Sequence, residues 1–119
     1  MSDDKELKAL NFEISLSIIF IILSLLNIWA DIEEKEYVRT HKNKYKIDAN
    51  KIFKITIFVS ILIYIYYFIR NYNAYENTSK NNKKLFAIKL WGSSLYIAGA
   101  LCLLYFQNKQ TSFLGTPIS

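Results

Sequence analysis

Three nearly unbroken apolar stretches dominate this sequence: Phe12 to Ala30, Ile52 to Ile69 and Leu85 to Phe106. Each carries a single formal charge, and that charge lies towards its beginning: Glu13, Lys54 and Lys89. As α-helices at 1.5 Å per residue they are roughly 27–33 Å long, about one bilayer hydrocarbon thickness. They are apolar nearly all round, whereas helices of a small soluble bundle need a polar face. The expected fold class is therefore all-α: an integral membrane protein with three transmembrane helices, partly extended beyond the bilayer. Its single domain covers residues 1–119, with spans at about 12–30, 52–69 and 85–106 and an irregular tail over 107–119. The third span is the weakest, since a lysine at its centre costs about 3 kcal/mol. Lys89 is close enough to the edge to snorkel.

The residues around these stretches fit the same reading. Trp29, Trp91 and Tyr105 lie towards span ends, and Tyr64, Tyr66, Tyr67, Tyr72 and Tyr75 crowd the end of the second span. Tyr and Trp favour the headgroup level. The acidic start (Met1-Ser-Asp-Asp) and the missing small-x-small site argue that the first span is retained rather than cleaved as a signal peptide. The first helix is expected to run on to about Thr40. A turn in His41–Lys44 leads to a second helix from near Tyr45. Thr78 or Ser79 is expected to cap the third.

Composition narrows the chemistry. The chain has one Cys and one His in 119 residues, which excludes an intramolecular disulfide and argues against a His/Cys metal centre. No phosphate-binding GxxxxGK[ST], HExxH, GxSxG or CxxC motif is present. The expectation is a protein that is not an enzyme and uses no cofactor. Net charge is +5, and Ile, Lys, Asn, Tyr and Phe make up 58 residues against two Arg. That bias is expected of an AT-rich genome, so the lysine excess is not by itself a sign of function.

Polar residues within the spans define candidate faces. Glu13, Ser17, Phe20, Ser24, Asn27 and Asp31 recur at helical spacing, so Ser17, Ser24 and Asn27 form a candidate packing stripe. Thr56, Ser60, Tyr64, Tyr67 and Asn71 are a weaker counterpart on the second span. On the third, Ser94, Ala98 and Cys102 form a small face that permits close helix approach, and Gly92, Tyr96 and Gly99 lie beside it. With three spans the first and third run parallel, which puts Glu13 and Lys89 at similar depth with Arg70 nearby. A Glu13–Lys89 ion pair with Arg70 beside it is the expected intramembrane charge cluster.

Arg39, Lys42, Lys44 and Lys46 form a basic cluster in the first junction. Beside a membrane this suits anionic lipid headgroups better than nucleic acid. Basic residues divide almost evenly between the two membrane sides, seven against eight, so charge bias leaves orientation undetermined.

The stretches Glu13-Ile-Ser-Leu-Ser-Ile-Ile-Phe, Ala49-Asn-Lys-Ile-Phe-Lys and Arg70-Asn-Tyr-Asn-Ala-Tyr, with the ending from Tyr105 to Pro117, resemble small uncharacterised multi-pass membrane proteins of AT-rich Gram-positive bacteria. The resemblance implies a bacterial cytoplasmic (inner) membrane and brings no activity, substrate or site residues. The functional expectation is a non-enzymatic membrane protein acting through helix–helix interaction, as an accessory subunit or a homo-oligomer. Its partners would be the bilayer and a membrane protein or a second copy, with no nucleic acid. A small dimeric transporter or channel using Glu13 is the alternative, and a holin-like or immunity protein a further one.

Overall fold

The computed structural model describes residues 2–109. Three helices, α1 (Ser2–Thr40), α2 (Asn43–Asn77) and α3 (Lys83–Lys109), follow one another, with a single 3-10 turn (Lys80–Asn82) leading into α3. All three are long and apolar enough to cross a membrane, and no strand occurs among the described residues. α1 alone, at 1.5 Å per residue, is about 58 Å long; the molecule measures 59 × 26 × 16 Å. Both α1 and α2 therefore outrun a hydrocarbon core of about 30 Å and project beyond it.

The apolar surface is inside out relative to a water-soluble protein. Ile14, Ile18, Ile21, Leu25 and Ile28 of α1 are exposed, as are Phe58, Leu62 and Ile65 of α2 and Ile88, Leu95 and Leu101 of α3. In water such continuous patches aggregate; in a bilayer they are the surface that meets acyl chains. Trp29, Trp91, Tyr72 and Tyr105 are exposed as well, at the two ends of the apolar zone, where indole and phenol groups are favoured.

α2 is the centre of the arrangement. α1 and α3 each pack along it, and no Cα of α1 comes within 8 Å of a Cα of α3 among the described residues. On α1 the buried positions are Leu16, Leu23 and Ala30. Their spacing of seven is the seam of a left-handed helix pair. Leu16 and Leu23 meet Ile63 of α2, while Ala30 meets Ala49 and Phe53. α3 uses a different side of α2, where Ile57 and Ile61 meet Ala100, Leu103 and Leu104. The result is a bent layer of helices, with a cleft open between α1 and α3 and floored by α2.

The junctions are tight. α1 ends with His41 at φ 60°, in the left-handed region, and the His41 amide donates to the Tyr37 carbonyl at 2.6 Å. That is the αL cap, which most often uses glycine. The Thr40 hydroxyl donates back to the Glu36 carbonyl at 2.8 Å, so two late carbonyls of α1 are satisfied. α2 begins at Asn43, earlier than the Tyr45 expected from the sequence, because the cap needs so few residues. The expected side-chain cap at Thr78 or Ser79 is not made; the chain enters α3 through the 3-10 turn, with the Asn82 amide donating to the Ser79 carbonyl at 3.1 Å. The tail expectation also needs correction. Gln107, Asn108 and Lys109 are helical, and Gln107 is fully buried; the remainder, 110–119, lies outside the described residues.

The His41 cap yields a prediction. A left-handed non-glycine residue costs about 1–2 kcal/mol. Part of this is offset by the edge-on contact of His41 with Tyr37. His41→Gly should stabilise the protein by about 1 kcal/mol, read as a raised thermal midpoint in detergent; a lowered midpoint contradicts the cap assignment.

Candidate functional site

Polar side chains inside a bilayer cannot turn to water, so where each one goes is decided by reach. Glu13 of α1 is half-buried, and its carboxylate pairs with the Arg70 guanidinium of α2. Arg70 also donates to Glu6, at 2.7 Å, and the Tyr66 hydroxyl donates to Glu13 at 3.4 Å. Phe12 stacks edge-on against Tyr66, with ring centroids 4.8 Å apart. One guanidinium thus holds two carboxylates about two turns apart on α1, using the forked donors that suit Arg to this role.

Lys89 is not the partner of Glu13. It sits on α3, which does not reach α1, and no carboxylate lies within ion-pair distance of it among the described residues. The cluster therefore divides: Arg70 closes α1 onto α2, and Lys89 remains a cation at the α2–α3 end of the same region.

α3 is held to α2 by two amide clasps. The Asn71 amide donates to the Ser93 hydroxyl at one end, with Asn71 buried and Ser93 half-buried. At the other end, the Gln107 amide donates to Asn50 Oδ1 at 2.6 Å, with Gln107 only 1% exposed. Hydrogen bonds between membrane helices contribute about 0.6 kcal/mol on average and up to about 1.7. In the sequence Gln107 reads as tail because it directly follows the apolar stretch that ends at Phe106. Its spacing of seven from Ala100, which is itself seven from Ser93, was the signal that it continues the packed face.

The first polar stripe is only partly used in packing. Asn27 Oδ1 lies 3.0 Å from the Thr56 hydroxyl of α2, which is also 2.9 Å from the Phe53 carbonyl, so one proton is shared between two acceptors. Ser24 is exposed and donates to its own helix, to the Phe20 carbonyl at 3.0 Å; Ser17 is exposed too. A serine that bonds back four residues is satisfied without a neighbouring helix, so a row of serines need not face protein. The small face of α3 behaves similarly: Ser94 is half-buried and donates to the Trp91 carbonyl at 2.8 Å, while Ala98 and Cys102 are exposed. The packed face of α3 is instead the side that carries Ser93, Ala100, Leu104 and Gln107.

What the polar stripe does border is the cleft, about 610 Å³ in volume. Ser24 and Asn27 form its α1 wall, Thr56, Ser60 and Tyr64 its floor, and Gly92, Tyr96 and Gly99 its α3 wall. A Cβ placed on either glycine would meet nothing within 4 Å. Tyr64 and Tyr96 have ring centroids 5.2 Å apart across the floor and α3 wall. Among the described residues no acceptor lies within reach of the Asn27 amide nitrogen.

The basic cluster of the first junction is partly occupied within the chain. Arg39 forms a two-oxygen pair with Glu36 at 2.7 and 2.8 Å. Lys44 lies over the Tyr45 ring and Lys46 over the Tyr37 ring, each 5.8 Å from the centroid. Lys42 is exposed on the turn.

A double-mutant cycle tests the charge assignment. Glu13→Gln and Arg70→Met should each destabilise the detergent-solubilised protein by about 1–3 kcal/mol and couple by about 1 kcal/mol. Glu13→Gln with Lys89→Met should be additive. The reverse pattern would place Lys89, not Arg70, on Glu13. No family model matches this chain, and neither a curated protein nor a solved structure does.

Proposed function

We propose that this small membrane protein works without catalysis, by self-association through its cleft, with α3 of a second copy as the occupant. The cleft is the observation that carries the reading. Lipid tails are as apolar as leucine, so membrane helices associate by close packing and by satisfying polar groups. This cleft offers both. Gly92 and Gly99 leave open space on its α3 wall beside Leu95 and Tyr96, and the mostly apolar lining of Phe20, Leu23 and Ile57 is interrupted by Asn27, Ser60 and Tyr64.

A second copy fits for a geometric reason. α3 is packed on one side only, and its Gly92 and Gly99 face opens onto the cleft. Two copies related by a two-fold axis bring these faces together, each α3 entering the other's cleft. Such an isologous contact closes on itself and gives a dimer rather than a filament. Composition and resemblance support placing the dimer in a bacterial cytoplasmic membrane. The reading in which Glu13 carries a cation or proton draws no support from the geometry, since Arg70 and Tyr66 already engage that carboxylate.

The glycines separate association from folding. Gly99→Ala removes a helix-destabilising residue into open space and should leave the monomer as stable or up to about 1 kcal/mol more so. Gly99→Leu should fill the cleft and weaken dimerisation at least tenfold, measured by energy transfer between labelled copies in liposomes. Wild-type protein that stays monomeric in liposomes at high protein density would overturn the dimer.

A further inference from the structure

A second cavity, about 540 Å³, lies at the opposite end of α2 from the first junction and does not depend on the cleft. Glu6 of α1, Tyr66, Arg70, Asn73 and Asn77 of α2, and Lys89 of α3 line it. All three helices contribute, and their charges do not mix evenly. Arg70 is engaged by Glu13 and by Oε1 of Glu6. Lys89 has no carboxylate partner, and no donor reaches the second Glu6 oxygen among the described residues. The cavity thus presents an unneutralised ammonium and a half-used carboxylate, and the exposed Asn73 and Asn77 amides line it with them.

Counting Arg70 and Lys89 against Glu6 and Glu13, the cluster is formally neutral. An anionic ligand would leave it negative and a cationic one positive; a ligand carrying both charges leaves it balanced. Depth selects among such ligands. Arg70 directly follows the apolar stretch Ile52 to Ile69 of α2, Lys89 is near the start of the apolar stretch of α3, and exposed Trp91 and Tyr72 flank them. This is headgroup level.

We propose that the cavity binds the headgroup of a zwitterionic phospholipid with a primary amine, phosphoethanolamine. Its phosphodiester pairs with Lys89 and its ammonium donates to the open oxygen of Glu6. Asparagine amides at Asn73 and Asn77 supply neutral donors to the phosphate oxygens.

Native mass spectrometry of the delipidated protein in detergent tests this with added dioleoyl lipids. Phosphatidylethanolamine should bind at one per chain, about tenfold tighter than phosphatidylcholine, whose quaternary amine has no N–H, and than phosphatidylglycerol, which has no cation. Lys89→Met should weaken that binding about tenfold, as expected for loss of one charge-assisted bond, and Lys89→Arg should keep it. Glu6→Gln should abolish the preference over phosphatidylglycerol. Should Lys89→Met lower the thermal midpoint, the Glu6→Gln preference and an Asn73→Ala/Asn77→Ala double variant, which should bind at least fivefold more weakly, carry the test. Equal binding of all three lipids, or of diacylglycerol, overturns the proposal. So does equal affinity for dissolved glycerophosphoethanolamine, which would make the ligand a soluble phosphate ester rather than a membrane lipid.

Discussion

Helices in a bilayer gain nothing from being apolar towards one another, so the contacts that decide this structure are the few that lipid cannot imitate. Among the described residues those between helices converge on α2. Arg70 holds Glu13 and Glu6 of α1; Thr56 holds Asn27 of α1; Asn71 and Asn50 hold Ser93 and Gln107 of α3. Each inter-helix hydrogen bond contributes about 0.6 kcal/mol on average and up to about 1.7, yet together they fix which helix sits in the middle. Tight packing of Leu16, Leu23 and Ala30 on one side and of Ala100 and Leu104 on the other then sets the register.

A central α2 has a direct consequence. Because α1 and α3 take different sides of it, neither closes the layer, and a cleft remains whose walls are polar in places and bare at two glycines. A closed bundle would cover the glycine face and the Asn27 amide; the open layer leaves both on the cleft. The same separation divides the charged end, leaving Lys89 without the carboxylate that Arg70 has taken.

How much of this was legible in the sequence follows from the same physics. The three helices were, since their lengths and all-round apolarity admit little else. So was the end of α1 at Thr40. The packing faces were not. In a span that is apolar on every side, the seam of Leu16, Leu23 and Ala30 has no polar contrast to mark it. The visible serines misled because Ser24 satisfies itself on its own helix. Glu13 was recognised as a paired carboxylate, but the choice between Lys89 and Arg70 rests on whether α1 meets α3, which is a tertiary fact. An amide that ends an apolar run reads as tail, yet the heptad spacing of Gln107 from Ala100 continues the packed face.

Cysteine cross-linking in liposomes tests the open layer most directly. In a Cys102→Ala background, Ala30→Cys with Ala49→Cys joins α1 to α2 at a buried contact, and Ser24→Cys with Gly99→Cys probes α1 against α3. A disulfide needs Cα atoms within about 7 Å, and no α1–α3 pair comes within 8 Å. Oxidation should therefore close the first pair within one chain and never the second. Rapid intrachain closure of the Ser24–Gly99 pair would mean that α1 and α3 pack together, and that the cleft on which this account rests is absent from the membrane-embedded protein.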